Sequence, residues 1–181
     1  MRLVLLLFTF LFISCSVDDG KSSGVIFEYD QEHEGMVRVG AKGQFVLLGT
    51  NDSTAPLNDR PSMKVKFTYS FSISKNEVTR KEYIELMGGE SSSVQDSGDL
   101  PQTNVTYYDA VLYANARSVR EGYDTAYTYY SAIYDDNGNC TYLEGLLFDP
   151  SKEAYRLPTE AEWIFAASQN WKPSQGWNNL N

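Results

Sequence analysis

Histidine occurs once and cysteine twice in these 181 residues, so a Cys–His catalytic pair would have to use His33. Basic side chains are also few: 15 Lys and Arg stand against 24 Asp and Glu, for a net charge of -9. An acidic body repels nucleic acid and anionic lipid, so neither is an expected partner. No apolar run approaches the roughly 20 residues that a membrane-spanning helix requires. A phosphate-cradling glycine loop, a nucleophile elbow, internal repeats and heptads are all missing. What is present is ordinary for one globular domain, with 42% hydrophobic and 22% charged residues, which excludes wholesale disorder. The 13 Tyr, 9 Phe and 3 Trp suit a loop-rich fold with many polar-tipped aromatic rings.

The first fourteen residues read as a signal peptide rather than structure. Arg2 supplies a positive start, and residues 3–13 are apolar apart from Thr9. The stretch Leu11-Phe12-Ile13-Ser14-Cys15 resembles a bacterial lipobox, in which the Cys is acylated and becomes the new N-terminus. An ordinary signal peptide, or a short anchor with an incidental Cys, is the plainer alternative. Ser16 after the Cys resembles an outer-membrane address, so the expected location is the cell envelope, lipid-anchored through Cys15, at the outer membrane. Loss of Arg2 with the leader takes the charge from -9 to -10. With Cys15 consumed, Cys140 has no intramolecular disulfide partner and reads as a partly buried thiol beside a hairpin turn. Residues 15–36 are expected to be the lipidated Cys and a polar tether, and residues 37–181 the folded domain.

Residues 37–49 read as a hairpin turning at Gly40-Ala41-Lys42-Gly43. Met63, Val65, Phe67, Tyr69, Phe71 and Ile73 then alternate without exception with polar residues, predicting one strand with a buried and a wet face. Three helices are predicted behind Thr caps, since Thr79, Thr106 and Thr159 each precede an acid by three residues: Glu82, Asp109 and Glu162. The first stops at Gly88-Gly89 and carries Tyr83, Ile84 and Met87; the second ends near Gly122 with Tyr107, Ala110, Val111 and Ala114 inward. The third buries Ala161, Ile164 and Phe165. Residues 127–134 and 140–147 form a hairpin around Asp135-Asp136-Asn137-Gly138-Asn139. Strands set among separated helices indicate an α+β class.

The tract Tyr155-Arg156-Leu157-Pro158-Thr159-Glu160-Ala161-Glu162-Trp163 resembles the hallmark of the formylglycine-generating enzyme (sulfatase-modifying factor) superfamily. Residues 71–79 with Tyr83, residues 100–110 and residues 37–49 are similar to weaker family blocks in the same order. Tyr107 stands where the family usually has Trp, Ile164 where it often has Glu, and Ser168 where it often has Arg. The resemblance implies an irregular C-type-lectin-like α+β fold, expected to be incomplete at its C-terminus. In full-length relatives the remainder carries calcium-binding loops and a copper-binding cysteine pair. No position of this sequence matches a catalytic or metal residue of the family, so none is carried over and no cofactor is expected in this chain.

Other candidate ligands read as structure. In Asp135-Asp136-Asn137-Gly138-Asn139 the Gly is fourth rather than sixth and position twelve is Leu146, so a hairpin tip is favoured over calcium. Glu32-His33-Glu34 reads as a solvated run rather than a metal site. Glu160 and Glu162, two apart, share no helix face for paired acid–base work. The expected function is a non-catalytic envelope lipoprotein with a binding or scaffold role toward envelope proteins or glycans. The alternatives are part of a formylglycine-generating oxidase completed by a missing C-terminal half, and a non-functional gene remnant.

Overall fold

The computed structural model describes residues 27–30, 33, 35–88 and 98–168. The leader, Cys15, residues 16–24, Glu32, Glu34 and residues 169–181 lie outside the described residues. Strands β1 (Phe27–Tyr29), β2 (Met36–Val39) and β5 (Phe71–Ser74) form an antiparallel sheet in the order β1-β2-β5. The folded body therefore reaches back into residues that read as tether. Strands β3 (Phe45–Leu48) and β4 (Met63–Lys66) form a second antiparallel pair.

This pairing corrects the first hairpin. β2 and β3 do not pair with each other; β2 lies against β5, with Met36 opposite Ser74, and β3 lies against β4, with Leu48 opposite Met63. Between them Gly43 N–H donates to the Phe67 carbonyl at 2.9 Å, and Phe67 N–H to the Gln44 carbonyl at 2.9 Å. Residues 36–48 thus run as one bent ribbon against residues 63–74, and the reversal is the loop 49–62. The glycine-rich stretch is a kink, closed by Gln44 N–H to Ala41 O at 2.9 Å, with Gly43 at φ 86°. The long alternating strand bends too, over residues 67–70. A bend lets one strand leave one sheet and enter another, and it brings Phe67 and Phe71 onto a common core with centroids 5.9 Å apart. Met63 and Tyr69 are exposed instead of facing that core.

The helices are α1 (Arg80–Met87), α2 (Tyr107–Arg120) and α3 (Glu160–Ser168). Each opens with the reciprocal Thr–acid pair that the spacing predicts. Glu82 N–H donates to Thr79 Oγ1 at 3.2 Å, Asp109 N–H to Thr106 Oγ1 at 3.0 Å and Glu162 N–H to Thr159 Oγ1 at 3.2 Å. Each acid also accepts from its cap's own N–H. α1 stops at Gly88, whose N–H donates to the Ile84 carbonyl. In α2, Val111 and Ala114 face inward as expected, but Tyr107 is 57% exposed, and Tyr113 and Ser118 are buried in its place. The first turn of α2 meets the hairpin through Thr106, Tyr108 and Asp109, which leaves the Tyr107 side chain outside that contact.

That hairpin matches expectation: β6 (Tyr127–Thr128) pairs with β9 (Leu147–Phe148), and β7 (Ser131–Tyr134) with β8 (Cys140–Glu144). Two cores result. Val39, Ala41, Val46, Phe67, Ala161 and Phe165 make the first; Val111, Ala114, Ala126, Tyr127, Cys140 and Leu143 make the second. The segment after Ala154 bridges them, with Tyr155 and Leu157 on the second core and Ala161 and Phe165 in the first.

Candidate functional site

The bridging segment carries the nine-residue tract, and its chain geometry follows from composition. Pro158 has no N–H and disfavours helix at Leu157, so the chain stays extended until Thr159 starts α3. Extension returns Arg156 to Glu162, six residues on. Arg156 Nη1 donates to Glu162 Oε2 at 2.8 Å and Nη2 to Oε1 at 2.5 Å. The Tyr69 hydroxyl donates to Oε1 at 3.0 Å, and Thr159 N–H to Oε2 at 2.8 Å. Glu162 is 1% exposed, so one buried carboxylate caps a helix, pairs an arginine and ties α3 to the bend after β4. Burial works against its charge, yet the Arg156 and Thr159 hydrogen bonds hold its pKa below the ordinary carboxylate value. Burial, and then the bond to Glu162, push the Tyr69 hydroxyl up. Glu160 is exposed on another side of the helix, and Trp163 is 54% exposed.

Beside this node a recess of about 1550 Å³ opens between β5, residues 75–79, α2, residues 152–158 and α3. His33 stands on its wall, half-buried rather than in a solvated run. Its backbone N–H donates to Asp30 Oδ1 at 3.1 Å, and its Nδ1 lies 3.0 Å from the same oxygen. The Ser72 hydroxyl donates to the other oxygen of Asp30. The His33 ring packs on Tyr123, centroids 5.2 Å apart, and edge-on to Tyr155 at 6.2 Å. Tyr155 donates to Glu121 Oε2 at 2.5 Å, Arg117 Nε donates to Glu121 Oε1 at 3.0 Å, and the Arg117 guanidinium sits 4.1 Å over the Tyr155 ring. Burial and the Glu121 bond push Tyr155 up to about 12. Against the desolvation it suffers, Glu121 is held below the carboxylate range by Tyr155 and Arg117. Tyr83 stacks on Tyr113 at 5.5 Å deeper in the recess, and burial pushes Tyr83 up to about 12.

Of these groups the sequence singled out the tract and His33; Tyr69, Arg117, Glu121 and Tyr123 escaped it. Tyr69 and Glu162 are 93 residues apart, and no local spacing signals such a contact. Cys140 is more buried than expected, at 0% exposure. Its backbone N–H donates to Asp109 Oδ1 at 2.9 Å, its carbonyl accepts from Thr106 at 2.6 Å, and burial pushes its thiol up. Copper ligation needs accessible thiolate, so Cys140 does not fit that metal. Asp135 is equally committed: its oxygens accept from Asn137 N–H, Asn139 N–H and Asn139 Nδ2 at 2.8–2.9 Å, which closes the turn and leaves a poor calcium ligand. Among the described residues no three His, Cys, Asp or Glu side chains group as a metal site.

A family model described as a sulfatase-modifying factor enzyme 1-like domain matches residues 22–178. A protein of Paenibacillus barcinonensis named Chaperone protein LppX is 37% identical over 105 residues, 56% of this chain and 37% of that protein. The chain thus spans little more than a third of that relative. The solved structure of Treponema denticola variable protein 1 superposes with a TM-score of 0.53 at 25% identity, over 74% of this chain and 52% of that one. The irregular, C-type-lectin-like α+β fold is the one these likenesses share.

Proposed function

The chain belongs to the sulfatase-modifying factor enzyme 1-like family, and from that premise we propose that it is a lipid-anchored envelope protein whose domain binds rather than catalyses. The recess carries this reading, because Glu162, the buried carboxylate on its wall, already accepts from four donors, and Glu121 and Asp30, which bond the lining residues Tyr155, Arg117, His33 and Ser72, are likewise engaged. A carboxylate held charged by several donors is a poor general acid. The recess also exceeds the roughly 300–1,000 Å³ of ordinary small-ligand pockets, which favours a polymer as occupant. The chaperone named among its relatives makes polypeptide the preferred polymer. The anchor is Cys15, and Ser16 supports the outer membrane as destination.

Two measurements test this. Metabolic labelling with radioactive palmitate marks the wild type and not Cys15→Ser, and the label follows the outer-membrane fraction; label on neither removes the anchor. Titration with an unfolded polypeptide shifts the emission of Trp163, which lines the recess. Trp163→Phe removes the shift, while an unchanged emission in the wild type removes the binding role. The hallmark tract favours one other reading, a component of a formylglycine-generating oxidase completed by a second polypeptide. Conversion of a Cys-containing sulfatase peptide by this chain, supplied with a second polypeptide and copper, would establish that instead.

A further inference from the structure

Residues 121–151 contain six carboxylates, at Glu121, Asp124, Asp135, Asp136, Glu144 and Asp149, and no Lys, Arg or His. Six of the 13 tyrosines fall in the same stretch. The β7–β8 hairpin at its centre buries Leu143 against the second core and turns its other face outward. On that outer face Ile133 stands opposite Tyr142, and the two are 52% and 48% exposed. The Tyr142 ring meets Tyr108 edge-on at 5.9 Å, and Tyr108 meets Tyr107 at 5.5 Å. An aromatic row therefore runs from the first turn of α2 to the hairpin through Tyr107, Tyr108 and Tyr142.

Soluble proteins rarely leave contiguous apolar surface uncovered without a partner for it. Tyrosine is well suited to such a surface, since a rigid ring contributes large contact area for little side-chain entropy. The faces of these rings attract cations, and the charged side chains of the hairpin itself, Asp135, Asp136 and Glu144, are all acidic, whereas Glu121 and Asp124 outside it are paired with Arg117 and Lys152. β7 pairs on one side only among the strands described, so its outer edge offers backbone groups to an extended chain, whereas the Cys140 N–H and carbonyl of β8 are taken by Asp109 and Thr106. We propose that the outer face of the β7–β8 hairpin, with the first turn of α2, docks an extended cationic polypeptide segment. Arg or Lys side chains lie over Tyr142 and Tyr107 and face Asp136 and Glu144. The surface is separate from the recess, so the inference stands whether or not the recess binds a polymer.

The test uses the full chain and three probes: a nine-residue peptide alternating Arg and Leu, its counterpart with Glu for Arg, and a chitin hexasaccharide. Fluorescence anisotropy of the labelled Arg peptide is expected to give saturable binding that weakens at least fivefold between 50 and 300 mM salt. The Glu peptide and the sugar are expected not to compete. Tyr142→Ser with Ile133→Ser should weaken the Arg peptide at least fivefold, Asp136→Asn with Glu144→Gln should flatten the salt dependence, and Leu57→Ser, exposed in the loop between β3 and β4, should change neither. Thermal melts of the variants, compared with wild type, confirm that each remains folded. The proposal is overturned by equal binding of the Arg and Glu peptides, by no binding of either, by preference for the sugar, or by folded hairpin variants that bind as wild type does.

Discussion

Arg156→Met would isolate what the buried ion pair contributes. Glu162 is 1% exposed, and its Arg156 partner is 23% exposed, so the substitution strands a carboxylate with two of its four donors gone. Breaking a buried pair from one side costs roughly 3–5 kcal/mol. The partial exposure of Arg156 admits some water, which places the expectation near the lower end, about 3 kcal/mol. Removing both charges, as Arg156→Met with Glu162→Leu, costs less. It forfeits the α3 cap, about 1 kcal/mol, and leaves the Tyr69 hydroxyl to find water, but it strands no charge. The double variant should therefore be more stable than Arg156→Met alone, with a coupling of roughly 2 kcal/mol between the sites. Urea unfolding followed by far-UV circular dichroism measures all four species, provided the slope is the same in each. A single substitution costing under about 1 kcal/mol, or a double whose cost equals the sum of its singles, would refute the reasoning.

The same carboxylate sets an acid limit. Its folded pKa lies below its unfolded value of 4.5, so its contribution is complete above that value and is lost as pH falls through the folded one. The stability gap between wild type and Glu162→Gln should accordingly shrink as pH is lowered from about 6 to about 3; a gap independent of pH would count against a charged Glu162. At the alkaline end, Tyr83 and Tyr155 are raised from 10.0 to about 12, so the stability they supply is complete below pH 10 and drains between those values. Ultraviolet titration should find fewer tyrosines ionising near 10 in the native protein than after unfolding. Thr106→Ala should cost more than Thr79→Ala, about 2 against about 1 kcal/mol, because Thr106 also donates to the buried Cys140 carbonyl at 2.6 Å. Equal thermal shifts would make that bond irrelevant. With Cys15 acylated or replaced, Cys140 should react with a disulfide reagent only as fast as the hairpin opens, and at once in denaturant.

Local chemistry was legible in the sequence. The three Thr–acid caps, the Gly88 stop and the Asp135 turn are all made by groups within four residues of each other, so their geometry follows from spacing alone. The nine-residue tract pointed to the family by resemblance, while its chemistry dictates only that Pro158 precedes a Thr-capped helix with an acidic first turn. Partnership was not legible. Alternation assigns a side chain to a face of a strand but says nothing about which strand lies alongside. A glycine-rich stretch that reads as a reversal became a kink, because the register of residues 63–74 pairs both of its arms to that one strand. Nor does a sequence show that a capping acid is also buried against an arginine, or that His33 rests on Tyr123 and Tyr155. Such contacts join positions 6 to 122 residues apart. They exist only because closing two cores around residues 154–165 brings those positions together and excludes the water that would otherwise screen them.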